Sequence, residues 1–492
     1  MIKRVGIAAL ATGLFFTGMQ FVPKAMPQAH AEETTAQIQW DKNHAFQDDV
    51  VPKFEAAVVA EYNTQMGDKT VTDIKAAKED MDYYIDNDNQ KLVILVDKDT
   101  TKVGKIKQEL TDELGTKIQI KKAKYNSNEM EALVLDVNKT ILGMNLDAFE
   151  GCYWNLEEQK IDVRADLNHD QIQELKDKYG ADKLNITVSK LKQEEFYARN
   201  YAFNNMGGGM MISEWIVENM RSKTTSSSWP NGDPDLQYNA ASGFFAVKNN
   251  QVYMVTAGHV TAENIGLNFY QGNLSSGSSM ARAIGVGHWS GFDTYNHQDL
   301  GLIRMGGTAM NGIYFSSRFW TKNNSSDGAI DGQLLPAVTV DGTWTTQGTQ
   351  VSKSGPTSGI TAGTVVSTAY PHNADTNGDG KDDTTFVQLQ IKAVSGLGWH
   401  DSVHTAGDIM AGSGDSGTTV YRASGGYALI GIVSGGNNSY SKSGSGGQGV
   451  TLTFGTSAYV EPVDSVSLSR ILGSNFVPWM GSTDQPIMNY QG

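Results

Sequence analysis

The chain has 492 residues, 39 Lys and Arg against 54 Asp and Glu, a formal net charge of −15 and one cysteine. That length is too great for one ordinary domain and implies two or three. The acidic balance excludes nucleic acid as a partner, and a lone Cys152 excludes any disulfide within the chain.

Residues 1–31 read as a signal peptide. Lys3 and Arg4 precede an apolar run from Val5 to Val22, and Ala29-His30-Ala31 is a small-x-small cleavage site. No later stretch is long and apolar enough to cross a bilayer. The expectation is a secreted, extracellular protein with no membrane contact once the signal is removed.

From 32 to about 206 the chain is charged and poor in glycine: 9 of the 53 glycines fall in residues 1–206 and 44 after them. This shift marks a domain boundary. Two small α+β units are predicted inside the region, at about 90–123 and 151–191. In the first, Lys91–Val96 and Lys117–Ile120 are strands around a helix from Lys102 to Leu114 that stops at Gly115. In the second, Lys160–Arg164 and Leu184–Val188 flank a helix from Asp170 to Tyr179 that stops at Gly180. Asp166-Leu167-Asn168-His169-Asp170 starts like a calcium loop but lacks the following glycine, so helix capping is expected there. Cys152 stands among Phe149, Tyr153 and Trp154 and reads as a core residue. Tyr197–Gly209 and Thr224–Pro234 read as loops.

After 206 the pattern changes to many short strands with Gly, Ser, Asn and Thr turns, the profile of an all-β barrel or sandwich. Residues 207–492 carry 13 Lys and Arg against 20 Asp and Glu, a mildly acidic balance. Asp464 to Leu472, with a capping acid at its head and Gly473 as its stop, reads as a short helix.

Three stretches here carry chemistry. In Gly412-Ser413-Gly414-Asp415-Ser416-Gly417 a serine stands in a tight turn of small residues. Glycines permit backbone conformations that side chains forbid. The amides of Gly414 and Ser416 are then free to form an oxyanion hole as Ser416 Oγ attacks a carbonyl. Thr256-Ala257-Gly258-His259 ends the strand-like Val252–Val255 in a loop, where His259 can serve as general base. Asp299 heads the apolar Leu300–Ile303 and can orient the imidazole. His259, Asp299, Ser416 is one of the known chain orders of a catalytic triad.

Thr256-Ala257-Gly258-His259 and Gly414-Asp415-Ser416-Gly417 resemble the signatures of chymotrypsin-fold serine proteases, and most of all the bacterial alpha-lytic protease and streptogrisin branch. Ser242–Val247 with the hairpin at Asn249-Asn250, Val351–Gly359 with Ala362–Val365, Ile432–Asn437, and Tyr459–Val463 are similar to further parts of that branch. The likeness runs from about 207 to 478, and Gly151–Lys190 is similar to the end of the family's propeptide. It departs at Thr418, where a glycine is usual, and at Val260, where a cysteine is usual. The resemblance implies an all-β, chymotrypsin-like double β-barrel with a short C-terminal helix, preceded by an α+β propeptide at 32–206. It implies a maturation cut between about 196 and 240. It also implies that Met410, Ala411 and Ser413, with Val433, Ser434, Gly435 and Gly436, line the pocket for the residue before the cut bond. Met410, Ala411 and Val433 are apolar, which suggests an apolar preference. Ser434 and Gly436 would pair with the substrate backbone as an added strand.

One loop stands apart. Asp375, Asn377, Asp379, the Lys381 carbonyl and Asp383 fall at positions 1, 3, 5, 7 and 9 of a calcium loop with Gly380 at position 6. Position 12 is Phe386, so the bidentate carboxylate is missing, and a structural rather than catalytic calcium is expected. His288, His297, His372, His400 and His404 lack metal-ligand spacing. The expected partners are protein or peptide substrates and the chain's own propeptide, acting on a monomer without a catalytic cofactor. A narrow-specificity processing protease is one variant. A non-catalytic secreted or cell-surface binding protein on a protease scaffold is the alternative.

Overall fold

A computed structural model describes residues 35–66, 69–190, 193–194, 205–208, 211–215, 237–249, 251–262, 265–266, 268–271, 282–292, 298–306, 314–319, 345–356, 358–374, 384–395, 409–412, 414–422, 428–437, 440–443, 451–463, 476–478 and 485–486. The signal peptide, the two loops of the junction for the most part, and the C-terminal helix expected at 464–472 lie outside them.

The N-terminal region opens with helix α1 (Thr35–Glu61), which the sequence did not announce. Its buried positions Trp40, Phe46, Val50, Phe54, Ala57 and Val58 follow helical spacing. Two features disguise it: Asn43 and Gln47 on the same buried face, and Pro52 in its interior. Next come the short α2 (Ile74–Asp80) and the strands Met81–Asp86, Lys91–Val96 and Ile118–Lys122. The last two pair in parallel, so they need the crossover helix α3 (Thr101–Leu114). Thr100 caps α3 by accepting from the Val103 amide at 3.3 Å, and Gly115 ends it at φ 54°.

The second unit repeats this plan. Lys160–Ala165 and Leu184–Val188 are parallel, joined through α5 (His169–Tyr179), and Phe149–Asn155 flanks them antiparallel. Asn168 and Gln171 form a capping box, so the acidic string before α5 is a cap as expected. An unannounced helix α4 (Ser127–Leu142) lays Met130, Val134, Val137 and Ile141 over this sheet, sharing a core with the fully buried Cys152.

The remainder is strand-rich. Eight antiparallel strands run in the order 237–241, 211–215, 268–271, 282–290, 301–305, 251–256, 244–248 and 476–478. The hairpin at Asn249 is present, with Lys248 facing Gln251 and Asn249 at φ 50°. A second set, 419–422, 350–355, 359–374, 384–393, 457–462 and 429–437, closes on itself because the last strand also pairs with the first. Each set has its own apolar core, one around Phe244, Val255, Phe269 and Ile303, the other around Val351, Ile391, Met410 and Val460.

The N-terminal region docks on the second set through apolar contacts, Trp40 with Ala362 and Tyr153 with Tyr370 and Tyr459, and through a group of polar contacts. Gln47 of α1 donates to the Gly348 carbonyl at 3.0 Å and accepts from the Gln350 amide at 3.0 Å. Glu55 accepts from the buried Arg422 guanidinium at 2.7 Å. Asn138 and Asn373 exchange side-chain hydrogen bonds at 2.8 and 3.2 Å. The Tyr370 hydroxyl donates to the Glu150 carbonyl. It occupies the space a Cβ would need at Gly151, whose φ of 138° also calls for glycine.

Candidate active site

Pairing of the strand Gln251–Thr256 with Gly301–Met305 sets Thr256 opposite Gly301. That register gathers two residues distant in sequence. His259 rides a helical turn, Gly258–Thr261, just past one strand, and Asp299 lies just ahead of the other. Asp299 is fully buried. Its Oδ1 accepts from the His259 amide at 2.7 Å, and His259 Nδ1 lies 3.1 Å from Oδ1 and 2.9 Å from Oδ2. The Ser434 hydroxyl donates to Oδ2. Burial alone would raise this carboxyl; the charge of His259 and these hydrogen bonds outweigh it and hold the pKa below the ordinary value.

The close approach depends on Gly258, where a Cβ would meet the Leu300 amide nitrogen at 2.8 Å and Asp299 Oδ1 at 3.0 Å. The Gly258 carbonyl is held by the hydroxyl of Ser290 at 2.8 Å. Phe292 meets the imidazole in a T-shaped contact at 5.8 Å between centroids, and stacks at 5.1 Å on Phe386 from the second set of strands.

Ser416 lies on the turn between Ala411–Gly412 and Thr419–Arg422. Gly414 at φ 92° and Gly417 at φ 93° bracket it in the left-handed region. Among the described residues, no acceptor takes up the amides of Gly414 or Ser416. Ser416 Oγ donates to the Ser434 carbonyl at 3.1 Å. A register shift between Val433 and Gly435 marks a bulge at Ser434. Bulges re-aim side chains beside active sites, and this residue touches both Asp299 and Ser416. The two halves of the strand-rich region meet here too, since the Ala241 amide donates to the Ser416 carbonyl at 2.6 Å.

Asp415 points away from the nucleophile into a sealed polar nest. Lys353 Nζ lies 2.8 Å from its Oδ2, with both side chains fully buried. The Gly412 amide donates to the same oxygen at 2.9 Å, and the Ser358 hydroxyl also donates to it. Such a pair is costly to break, because either partner left alone is an unpaired buried charge. It ties the turn of Ser416 to the strand Gln350–Gly355.

The other expected site residues divide. Met410, Ala411 and Val433 are fully buried within the second core. Gly435 and Gly436 pair with Tyr459 and Ala458 on one edge. On the opposite edge, Gly436 and Asn437 pair antiparallel with Glu194 and Gln193 of the N-terminal region. Ser413 lies outside the described residues, as do Asp375, Asn377, Asp379, Lys381 and Asp383 of the calcium loop and His297, His400 and His404. Among the described residues no group of three or more His, Cys, Asp or Glu is placed to hold a metal. His372 bonds through Nδ1 to Gln388 at 2.9 Å, and His288 lies beside Tyr253, its pKa lowered by burial and by Arg304 and Lys248. Burial pushes the Cys152 thiol up, which leaves it a poor nucleophile. Val260 packs in the first core, and the Thr418 amide donates to the Asp415 carbonyl at 2.9 Å, closing the turn where a second glycine was expected.

The sequence reading passed over Lys353, Ser358, Phe292 and the Ser434 hydroxyl. Lys353 alone left a signal: it is the one charged side chain in Gln350–Gly355.

No family model matches the chain, and no curated protein matches it by sequence. Among solved structures, Thermobifida fusca Protease A is similar at 17% identity and a TM-score of 0.32, covering 56% of this chain and 100% of that one. Nocardiopsis Protease is similar at 16% identity and a TM-score of 0.32, covering 56% of this chain and 98% of its own. A glutamic acid specific serine protease stands at 22% identity and a TM-score of 0.30, covering 54% of this chain and 97% of its own. Likenesses this weak carry neither an activity nor a detailed architecture over to this chain.

Proposed function

We propose that this protein is a secreted serine endopeptidase of the chymotrypsin-like, double-barrel type, made as a precursor whose residues 32–206 assist folding and then block the site. The observation that carries the reading is Ser434. Its hydroxyl binds buried Asp299 and its carbonyl holds the Ser416 hydroxyl. Three chain stretches thus converge in the order that a Ser-His-Asp triad uses.

In this reading Ser416 Oγ turns from the Ser434 carbonyl by a rotamer change, gives its proton to His259 Nε2 and attacks the substrate carbonyl. Asp299 holds the imidazole through Nδ1 and stabilises its cation. The free amides of Gly414 and Ser416 receive the oxyanion. His259 returns the proton to the departing amine, and water, deprotonated by the same imidazole, releases the acyl group. No cofactor takes part; a calcium ion on residues 375–383 would be structural.

Two observations support the blocking role of the N-terminal region. Gln193–Glu194 adds to the edge of Leu429–Asn437, where a substrate strand would add. Its docking surface carries amide side chains and one ion pair beside the apolar clusters around Trp40 and Tyr153, a mixed contact of the kind found between domains that can separate.

Hydrolysis of casein by the exported protein, run beside Ser416→Ala, tests the reading. Turnover by the first and none by the second is expected. Absence of turnover in both would favour a binding protein on a protease scaffold, and equal turnover by both would rule out Ser416 as the nucleophile.

A further inference from the structure

We infer that Phe386, from the second set of strands, is a positioning residue for His259. It holds Phe292 against the imidazole, so the general base is set in part from the half of the strand-rich region that carries Ser416. The inference deepens the endopeptidase reading above, on which its kinetic test rests; its spectroscopic test stands apart from that reading.

His259 stands on a single helical turn, Gly258–Thr261, and Asp299 meets its Nδ1 at 2.9 and 3.1 Å. A hydrogen bond at one nitrogen fixes a point on the ring, whereas packing against the ring fixes its rotamer. Phe292 supplies that packing, in a T-shaped contact with centroids 5.8 Å apart. Phe292 is itself held twice. Its amide donates to the Ser290 hydroxyl at 3.1 Å, and that hydroxyl donates at 2.8 Å to the carbonyl of Gly258, the residue before His259. Its ring lies nearly parallel on Phe386, at 14° with centroids 5.1 Å apart.

Phe386 is the anchored member of the pair. It is fully buried and faces His372 across the hairpin of Gly359–Ala374 and Thr384–Ala393. A polar chain fixes that hairpin: His372 Nδ1 lies 2.9 Å from Gln388 Oε1, and Gln388 donates to Glu461 at 3.1 Å. The His372 ring also packs on Tyr459 at 4.9 Å. With Phe386 at 0% and Phe292 at 8% exposure, neither ring is placed to take a substrate side chain, so both act through the imidazole.

The flat ring matters more than its volume. A branched aliphatic side chain at 386 would fill the space but could not lie flat on Phe292, which would then be free to move. The imidazole could turn out of reach of Asp299, which lowers kcat. Water would also reach it, which favours the cation and moves its titration to higher pH.

The kinetic test compares the exported wild type, Phe386→Leu, Phe292→Leu, the double variant and Phe386→Tyr on a short peptide substrate. Phe386→Leu should lower kcat about tenfold or more, with KM changed less than about twofold. The acid limb of its kcat/KM profile should move to higher pH by about half a unit. Phe386→Tyr keeps the flat ring and should keep most of kcat. Because Phe386 acts through Phe292, the double variant should be no slower than Phe292→Leu alone. The spectroscopic test follows the His259 ring by NMR in the full chain carrying Ser416→Ala, where adding Phe386→Leu should move its titration upward in the same way. If Phe386→Leu does not fold, Phe386→Met, closer to the ring in length, replaces it in both tests. An unmoved titration overturns the inference, as does an additive loss in the double variant or a loss confined to KM. If the wild type cuts no peptide while the titration moves, the endopeptidase reading falls and the positioning of His259 stands.

Discussion

Two aspartates, one in each region, are equally shielded from water and titrate in opposite directions. Asp82, in the strand Met81–Asp86, is raised by burial against the pull of Lys78, with Glu131 adding to the rise. Its Oδ2 has no hydrogen-bond partner, and Lys78 spends its own bond on Glu131 at 2.5 Å. Asp299 is lowered despite the same burial, because an imidazole, an amide and a hydroxyl all meet its oxygens. Burial sets the size of the stake, and the number of donors decides its sign. The strand-rich region surrounds its buried carboxylates with donors, at Asp299 and again at Asp415. The N-terminal region leaves one, Asp82, with an unbonded oxygen.

The contrast can be broken most forcefully at Asp299. Asp299→Asn keeps the shape but loses the charge that holds the imidazole, and kcat on a peptide substrate should fall about 10⁴-fold. Because the folded pKa of Asp299 lies below its ordinary value, its contribution to stability is present above pH of about 4 and is lost as pH falls through the folded value. A urea titration across acid pH should find that slope flattened in the variant.

A smaller effect is expected where the regions meet. Gly151→Ala places a Cβ where the Tyr370 hydroxyl lies, on a backbone at φ 138°. Docking of the N-terminal region should weaken by about 1–3 kcal/mol. Calorimetry on the Ser416→Ala background should find the unfolding of the N-terminal region moved to lower temperature, with that of the strand-rich region in place.

The smallest effect sharpens the comparison instead of breaking it. Asp82 has a raised folded pKa, so the folded form is favoured at low pH and loses stability as pH rises from about 4 through the folded value. Asp82→Asn removes the buried charge and should stabilise the N-terminal region at pH 7 by about 1 kcal/mol. Chemical denaturation at pH 4 and pH 7 checks this; equal loss at both pH values would refute the assignment.

Local chemistry made much of the N-terminal region legible. Thr100 and Asn168 begin helices, Gly115 and Gly180 end them, and the strands beside them are short apolar runs. Helix α1 was hidden for a physical reason. Gln47 is on its buried face because Gly348 and Gln350, some 300 residues away, supply its hydrogen bonds. No local pattern can announce a polar core position whose partners are that remote. The same applies to Ser434, which reads as one more small residue in a strand until a bulge turns it toward Asp299.

By itself the sequence determined the strand–helix–strand runs at 91–122 and 160–188, the strand-rich character after 206 and the three residues His259, Asp299 and Ser416 as candidates, while the flanking strand Phe149–Asn155 was not announced. These follow from backbone preference and short-range hydrogen bonding, which are properties of neighbours along the chain. Only the tertiary structure decided that Ser434 joins two of those residues, that Lys353 neutralises Asp415 and that Glu194 lies on Gly436. Each of those depends on strand register, and register is settled by burying one face of a whole sheet.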